Sequence, residues 1–139
     1  MKVNFTVVGE PKGKGRPRFV RTYSGGRAVT PKDTVIYENL VKTEYEYQVG
    51  ERFDDGMQLS MKIDAYFGIP KSKSKKVKKD MEEGFIRPTK KPDMDNIVKI
   101  IADSLNDIAY HDDSAVVECS VSKWYSYNPR VEVTIENLN

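Results

Sequence analysis

The chain opens on strict alternation. Val3, Phe5 and Val7 are apolar and Lys2, Asn4 and Thr6 are polar, which predicts a strand over residues 2–8 with one buried face. The same period of two returns in Leu59, Met61, Ile63, Ala65 and Phe67, within a strand from Met57 to Phe67. Two further strands close the chain, Ala115–Tyr125 and Arg130–Glu136, joined by a turn at Asn128-Pro129. Elsewhere the period changes. Thr30-Pro31 reads as a helix start, with Thr30 as N-cap and Pro31 in the first position. Val35, Tyr37, Leu40, Val41, Glu44 and Tyr45 carry that helix to about Val49, and Gly50 ends it. A second main helix begins near Asp93 or Asp95 and runs to about Asn106. At about 100° per residue, Ile97, Ile101, Ser104 and Ile108 share its core face, with Ile100 and Leu105 beside them. A short helix is expected around Ser74–Glu83, stopped by Gly84. A small hairpin is expected from Phe19–Tyr23 and Arg27–Val29 around Ser24-Gly25-Gly26. Together these predict an α+β domain with a mixed sheet of about four strands and two main helices.

Length agrees with a single domain over residues 1–139. Charged residues make up 32% and apolar residues 38%, so the chain is charge-rich without the apolar depletion of a disordered protein. No run approaches the roughly 18 apolar residues of a membrane span, and the first residues lack a signal-peptide apolar block. The single cysteine, Cys119, has no internal partner and reads as a buried strand residue. These features lead us to expect a cytoplasmic protein that needs no membrane.

Charge changes the picture more than composition does. From Glu10 to Lys32, seven basic residues face one acid. From Lys71 to Lys91, nine basic residues face three acids. From Pro92 onward, nine acids face Lys99, Lys123 and Arg130. Two blocks of net +6 followed by one of net −6 point to a polyanion held beside a carboxylate centre. The first block contains Gly9-Glu10-Pro11-Lys12-Gly13-Lys14-Gly15. Its spacing rejects a nucleotide-binding P-loop, since Gly15 stands where a magnesium-holding hydroxyl is required. No nucleotide cofactor is therefore expected. The glycines are read as permitting close approach of a nucleic-acid backbone to Lys12, Lys14, Arg16 and Arg18. The Lys71–Lys79 run is read as DNA-contacting, either as the short helix or as a segment that DNA would order.

The carboxylate centre lies on the second main helix. Asp95, Lys99 and Asp103 fall at i, i+4 and i+8 on the face opposite the isoleucines. Asp112-Asp113 follow in the loop before the next strand. If the fold returns that loop to the helix start, Asp93, Asp95 and one of Asp112 or Asp113 converge. Such a cluster is unfavourable without a cation, and all-oxygen ligands select Mg²⁺ or Mn²⁺. Lys99, one turn along, is then placed to stabilise a phosphoryl transition state or orient a water. The plainer alternative makes the aspartates helix caps, surface pairs and turn residues. His111 is not required as a base, and Trp124, Tyr125 and Tyr127 read first as core or dimer packing.

Three segments together carry a resemblance. They are Gly9-Glu10-Pro11-Lys12-Gly13-Lys14-Gly15-Arg16-Pro17-Arg18-Phe19, the run from Lys91-Pro92-Asp93-Met94-Asp95-Asn96-Ile97 through Lys99, Asp103 and Leu105-Asn106, and Tyr110 with Asp112-Asp113-Ser114 and Val116. Over nearly its whole length the chain resembles the RusA family of Holliday junction resolvases, small endodeoxyribonucleases common in phages and prophages. The resemblance implies a homodimer that binds four-way DNA junctions. It implies paired symmetric nicks made with Mg²⁺ or Mn²⁺, leaving 5′-phosphate and 3′-hydroxyl ends in recombination or repair. It places the metal-binding aspartates on Asp93, Asp95 and Asp113, with Asp112 as the alternative third ligand, and the essential lysine on Lys99. DNA contacts are expected from Lys12, Lys14, Arg16, Arg18, Lys73, Lys75, Lys76, Lys90 and Lys91. Two other readings fit the same residues, a branched-DNA-binding protein without nuclease activity and a less selective flap or fork nuclease.

Overall fold

Alternating segments can bury one face only by pairing, and four of them do so here. In the computed structural model, which describes residues 1–139, β1 (Lys2–Val8), β4 (Leu59–Gly68), β5 (Val116–Ser126) and β6 (Arg130–Asn137) form one mixed sheet. Its order is β1-β6-β4-β5. β6 runs antiparallel to both β1 and β4, and β5 runs parallel to β4. The closing strands are therefore not neighbours. The link from Ser126 to Arg130 crosses the end of β4, which lies between them. β2 (Arg18–Thr22) and β3 (Gly25–Val29) pair only with each other. Their turn is Tyr23-Ser24, slightly earlier than the glycines suggested.

Register lines up the apolar residues in rows. Phe5 pairs with Val133, Val133 with Ile63, and Ile63 with Val121, on the face that the helices cover. The next row is Val7, Val131, Ala65 and Lys123. A lysine thus stands in an inward position, with consequences for the site. Helix α1 (Lys32–Gln48) buries Thr34, Tyr37, Val41 and Tyr45, one stripe at helical spacing. It packs on β1, where Phe5 meets the Tyr45 ring edge-on at 5.2 Å, and on α3 (Met94–Ser104). α3 buries Ile97, Ile100, Ile101, Ala102 and Ser104, the face read from its periodicity. The short helix forms as α2 (Lys75–Glu82), capped by the Ser74 hydroxyl, with Gly84 at φ 84° just beyond its end. No helix is long and apolar enough to cross a membrane.

Two expectations need correction. Thr30 does not cap α1. Pro31 takes the N-cap position with ψ 143°, and its carbonyl accepts the first helical bond from the Val35 amide at 3.2 Å. Cys119 is exposed, because β5 is an edge strand and the helices do not cover its first half.

Ile63 lies on an inner strand at the centre of a buried row. Ile63→Ala is expected to cost about 2–5 kcal/mol. A urea titration should show a lower midpoint with an unchanged slope, and an unchanged midpoint would contradict this packing.

Candidate active site

α3 begins just after a bend at residues 90–92 that contains a cis Lys91–Pro92 bond. Asp93 is the N-cap by backbone geometry, but its carboxylate makes no cap hydrogen bond. It pairs instead with Lys91 Nζ at 3.0 Å. Asp95 stands exposed in the first turn, where the positive end of the helix dipole favours a carboxylate. The inward-facing Lys123 holds this segment from below. Its ammonium donates to the carbonyls of Lys90 and Pro92, and burial pushes its pKa down despite the nearby Asp93 charge. Sequence reading did not single out Lys123. Its only signal was a lysine in the inward register of a strand.

One helical turn beyond Lys99, Asp103 ties several elements together. Lys99 Nζ lies 3.5 Å from its Oδ2, and Lys14 Nζ lies 3.6 Å from the same oxygen. Asp113 faces Asp103 from the returning loop. Burial raises the Asp113 pKa, the Asp103 contact and the Asp112 charge raise it further, and Lys99 works against them. The loop returns because the chain turns sharply after α3. Asp107 takes φ 62°, its amide donates to the Tyr110 carbonyl, and the buried Tyr110 hydroxyl donates to the Ala102 carbonyl at 2.7 Å. Asn106 Oδ1 then accepts from the Asp113 amide at 2.8 Å.

This turn separates the roles of the adjacent aspartates. Asp112 is exposed and caps its own short turn, accepting from the Ser114 amide at 3.0 Å, and the Ser114 side chain first and that amide second lower its pKa. Asp113 faces the helix stripe. His111 lies outside, 3.4 Å from Asp107. A cleft of about 410 Å³ lies on the Asp112 and His111 side and includes none of Asp93, Asp95 or Lys99. The α3 stripe is an open surface, a shape that suits a polymer backbone better than an enclosed small molecule.

The glycine-rich loop reaches this stripe, and Gly13 and Gly15 serve packing within the protein. The Lys14 amide donates to the Asn96 carbonyl at 3.0 Å. A Cβ on Gly13 would lie 2.7 Å from the Pro92 side chain, and the Gly15 amide donates to Thr34 Oγ1 at 3.1 Å. Close approach is therefore to α3 and α1, where nucleic acid had been expected. Lys14 turns inward with its side chain 20% exposed, and pairs with Glu38 at 2.8 Å as well as with Asp103. Burial acts to lower its pKa, but Glu38 and Asp103 together raise it. Lys12, Arg16 and Arg18 are exposed and make no ion pair. So are Lys73, Lys75 and Lys76 around the start of α2. Lys90 lies near the Phe67 and Tyr125 rings. Trp124 sits under the Arg87 guanidinium at 3.7 Å and donates to Asp64. Tyr127 is exposed.

The family model described as endodeoxyribonuclease RusA matches residues 8–136. The chain belongs to the RusA endodeoxyribonuclease family. A curated relative, the uncharacterized protein YqaN of Bacillus subtilis (strain 168), is 40% identical over 139 residues, covering 99% of this chain and 97% of that protein. Within the RusA frame, the structure brings the basic loop, Lys99, Asp103 and Asp113 together, and sets Asp93 and Asp95 at the start of the same helix. No three acidic or imidazole side chains are gathered closely enough to share one ion. The donor chemistry nevertheless fits a hard divalent cation. All candidates are carboxylates, and Asp113 stands against the Asp103 carboxylate, a like-charge contact that a cation relieves.

Lys14→Met is expected to cost about 1–3 kcal/mol, because Glu38 and Asp103 lose their shared cation. Its DNA affinity should keep the salt slope of the parent protein. A slope reduced by about one would mark a lost phosphate contact instead.

Proposed function

We propose that this chain is a homodimeric, Mg²⁺-dependent resolvase of four-way DNA junctions. It makes paired symmetric nicks that leave 5′-phosphate and 3′-hydroxyl ends. The observation that carries this reading is the docking of the basic loop on the carboxylate helix, through the 3.0 Å bond from the Lys14 amide to the Asn96 carbonyl. A polyanion bound along Lys12, Arg16 and Arg18 is thereby held beside Asp95 and Lys99. Asp93, Asp95 and Asp113 would hold the ion by closing together around it, with Asp112 committed to its turn. When bound, the ion supplies charge neutralisation at the scissile phosphate and activation of the attacking water, and Mn²⁺ would substitute. The protein's own residues do the rest. Lys99 presents its ammonium to the charge that develops on phosphate, and Asp103 holds Lys99 in place. Lys73, Lys75, Lys76, Lys90 and Lys91 extend the basic surface to the DNA arms. One acidic centre per chain and two cuts per junction call for a two-fold pair.

The deciding experiment is cleavage of a synthetic mobile four-way junction with Mg²⁺ and with EDTA, at matched binding. Paired symmetric nicks with Mg²⁺ alone support the resolvase. Equal cutting of flap and duplex DNA would indicate a less selective nuclease. The failure of three acids to converge favours a second reading, binding of branched DNA without cutting. It predicts salt-sensitive binding and no nicks with either metal.

A further inference from the structure

The β2–β3 hairpin is the one element without a partner. It pairs with no other strand, and all of its strand residues except Val29 are exposed. A lone two-stranded hairpin is marginal in water. This one is pinned at its base, where Gly15 meets both Thr34 and Pro31 at the start of α1. Its surface is aromatic and cationic. Phe19 is 75% exposed, and Tyr23 at the turn is fully exposed. Arg18, Arg21 and Arg27 are exposed without ion pairs, and no acid occurs from Pro11 to Lys32.

The orientation of Phe19 is built in. Its ring occupies the space above Gly26, where a Cβ would lie 1.8 Å from Phe19 Cζ. Glycine lets the ring lie against β3 on one face and leaves the other outward. Phe19 lies five positions after Lys14, which is docked on α3, so its Cα stands within about 18 Å of that anchor.

We propose that this hairpin is a wedge that enters the branch of the DNA. Phe19 and Tyr23 stack on bases freed at the crossover, and Arg18, Arg21 and Arg27 neutralise the flanking phosphates. Charge complementarity selects nucleic acid as the occupant. The outward aromatic faces select bases, and intact duplex hides base faces while a branch point exposes them. The wedge rests on the branched-DNA reading and explains how a chain with an open active surface would prefer branches to duplex.

The test uses a four-way junction with 2-aminopurine at the crossover, bound in EDTA so that cutting plays no part. Binding of the parent protein should raise the fluorescence several-fold as the base leaves its stack. The double variant Phe19→Ala/Tyr23→Ala keeps every arginine. It should bind with the parent's salt slope and lose the fluorescence rise. With Mg²⁺ it should cut the closed junction about ten- to a hundred-fold more slowly. It should cut a junction with unpaired bases at the branch at the parent's rate. Gly26→Ala, which displaces the Phe19 ring and removes no charge, should lose part of the rise. No rise with the parent protein overturns the wedge, and so does a full rise with the double variant. So does loss of the dimer in that variant by sedimentation, which would assign the hairpin to a second copy of the chain. Failure of the parent to cut with either metal overturns the resolvase reading instead, and leaves the fluorescence result standing.

Discussion

Asp95→Asn should bind a four-way junction as tightly as the parent protein and cut it on the order of 100- to 1,000-fold more slowly. The substitution keeps the shape of an exposed side chain in the first turn of α3 and removes only its charge. The fold loses little. A carboxylate at a helix N-terminus contributes about 0.3–1 kcal/mol, so the variant stays folded at working temperatures. In the proposed reading, binding belongs to the basic loop and hairpin, which the change does not touch. A cutting rate near the parent's at saturating Mg²⁺ would remove Asp95 from the chemistry and return it to a helix-dipole role. Gel-shift affinity and single-turnover rate, measured on the same preparation, separate the two outcomes.

The second large effect is expected at Lys99. Its side chain is 60% exposed and its ammonium pairs only with Asp103, at 3.5 Å. An exposed i,i+4 pair of this kind contributes a few tenths of a kcal/mol to stability. Lys99→Ala should therefore leave the unfolding midpoint nearly unchanged. Turnover should fall about 100-fold, with affinity for the junction reduced only a few-fold. The split between rate and affinity is the informative quantity. Equal losses in both would make Lys99 one more phosphate contact. Lys14 provides the contrast, because it is tied to Glu38 and Asp103 and its loss should appear first in stability.

Much of this site was legible before any coordinates. The stripe of Asp95, Lys99 and Asp103 follows from helical geometry alone, and the opposing isoleucines identify which face is free. Asp93 just before the helix and the short helix capped by Ser74 follow from equally local signals. Asp103 was legible as a position but not as a hub. Its partners Lys14 and Asp113 lie far from it along the chain or beyond a tight turn, and Glu38 carried no signal of its own. The different surroundings of Asp112 and Asp113 were hidden for the same reason, since adjacent residues are separated only by which one the turn spends on capping itself.

Local pattern determined the strands and helices, the buried faces of β1, β4 and α3, the split of charge between loop and helix, and the family motifs. These depend on spacings of a few residues, and the backbone's two periods make them readable. Tertiary structure alone decided that β4 lies between the two closing strands, which left β5 at an edge and Cys119 in solvent. It alone turned Lys123 toward the α3 start, docked Gly13 on Pro92 and Asn96, and drew Lys14 away from the surface into a pair with Glu38. Each of these is a contact between residues distant in sequence, set by which surfaces could bury one another once the strands were paired, and no spacing along the chain records it.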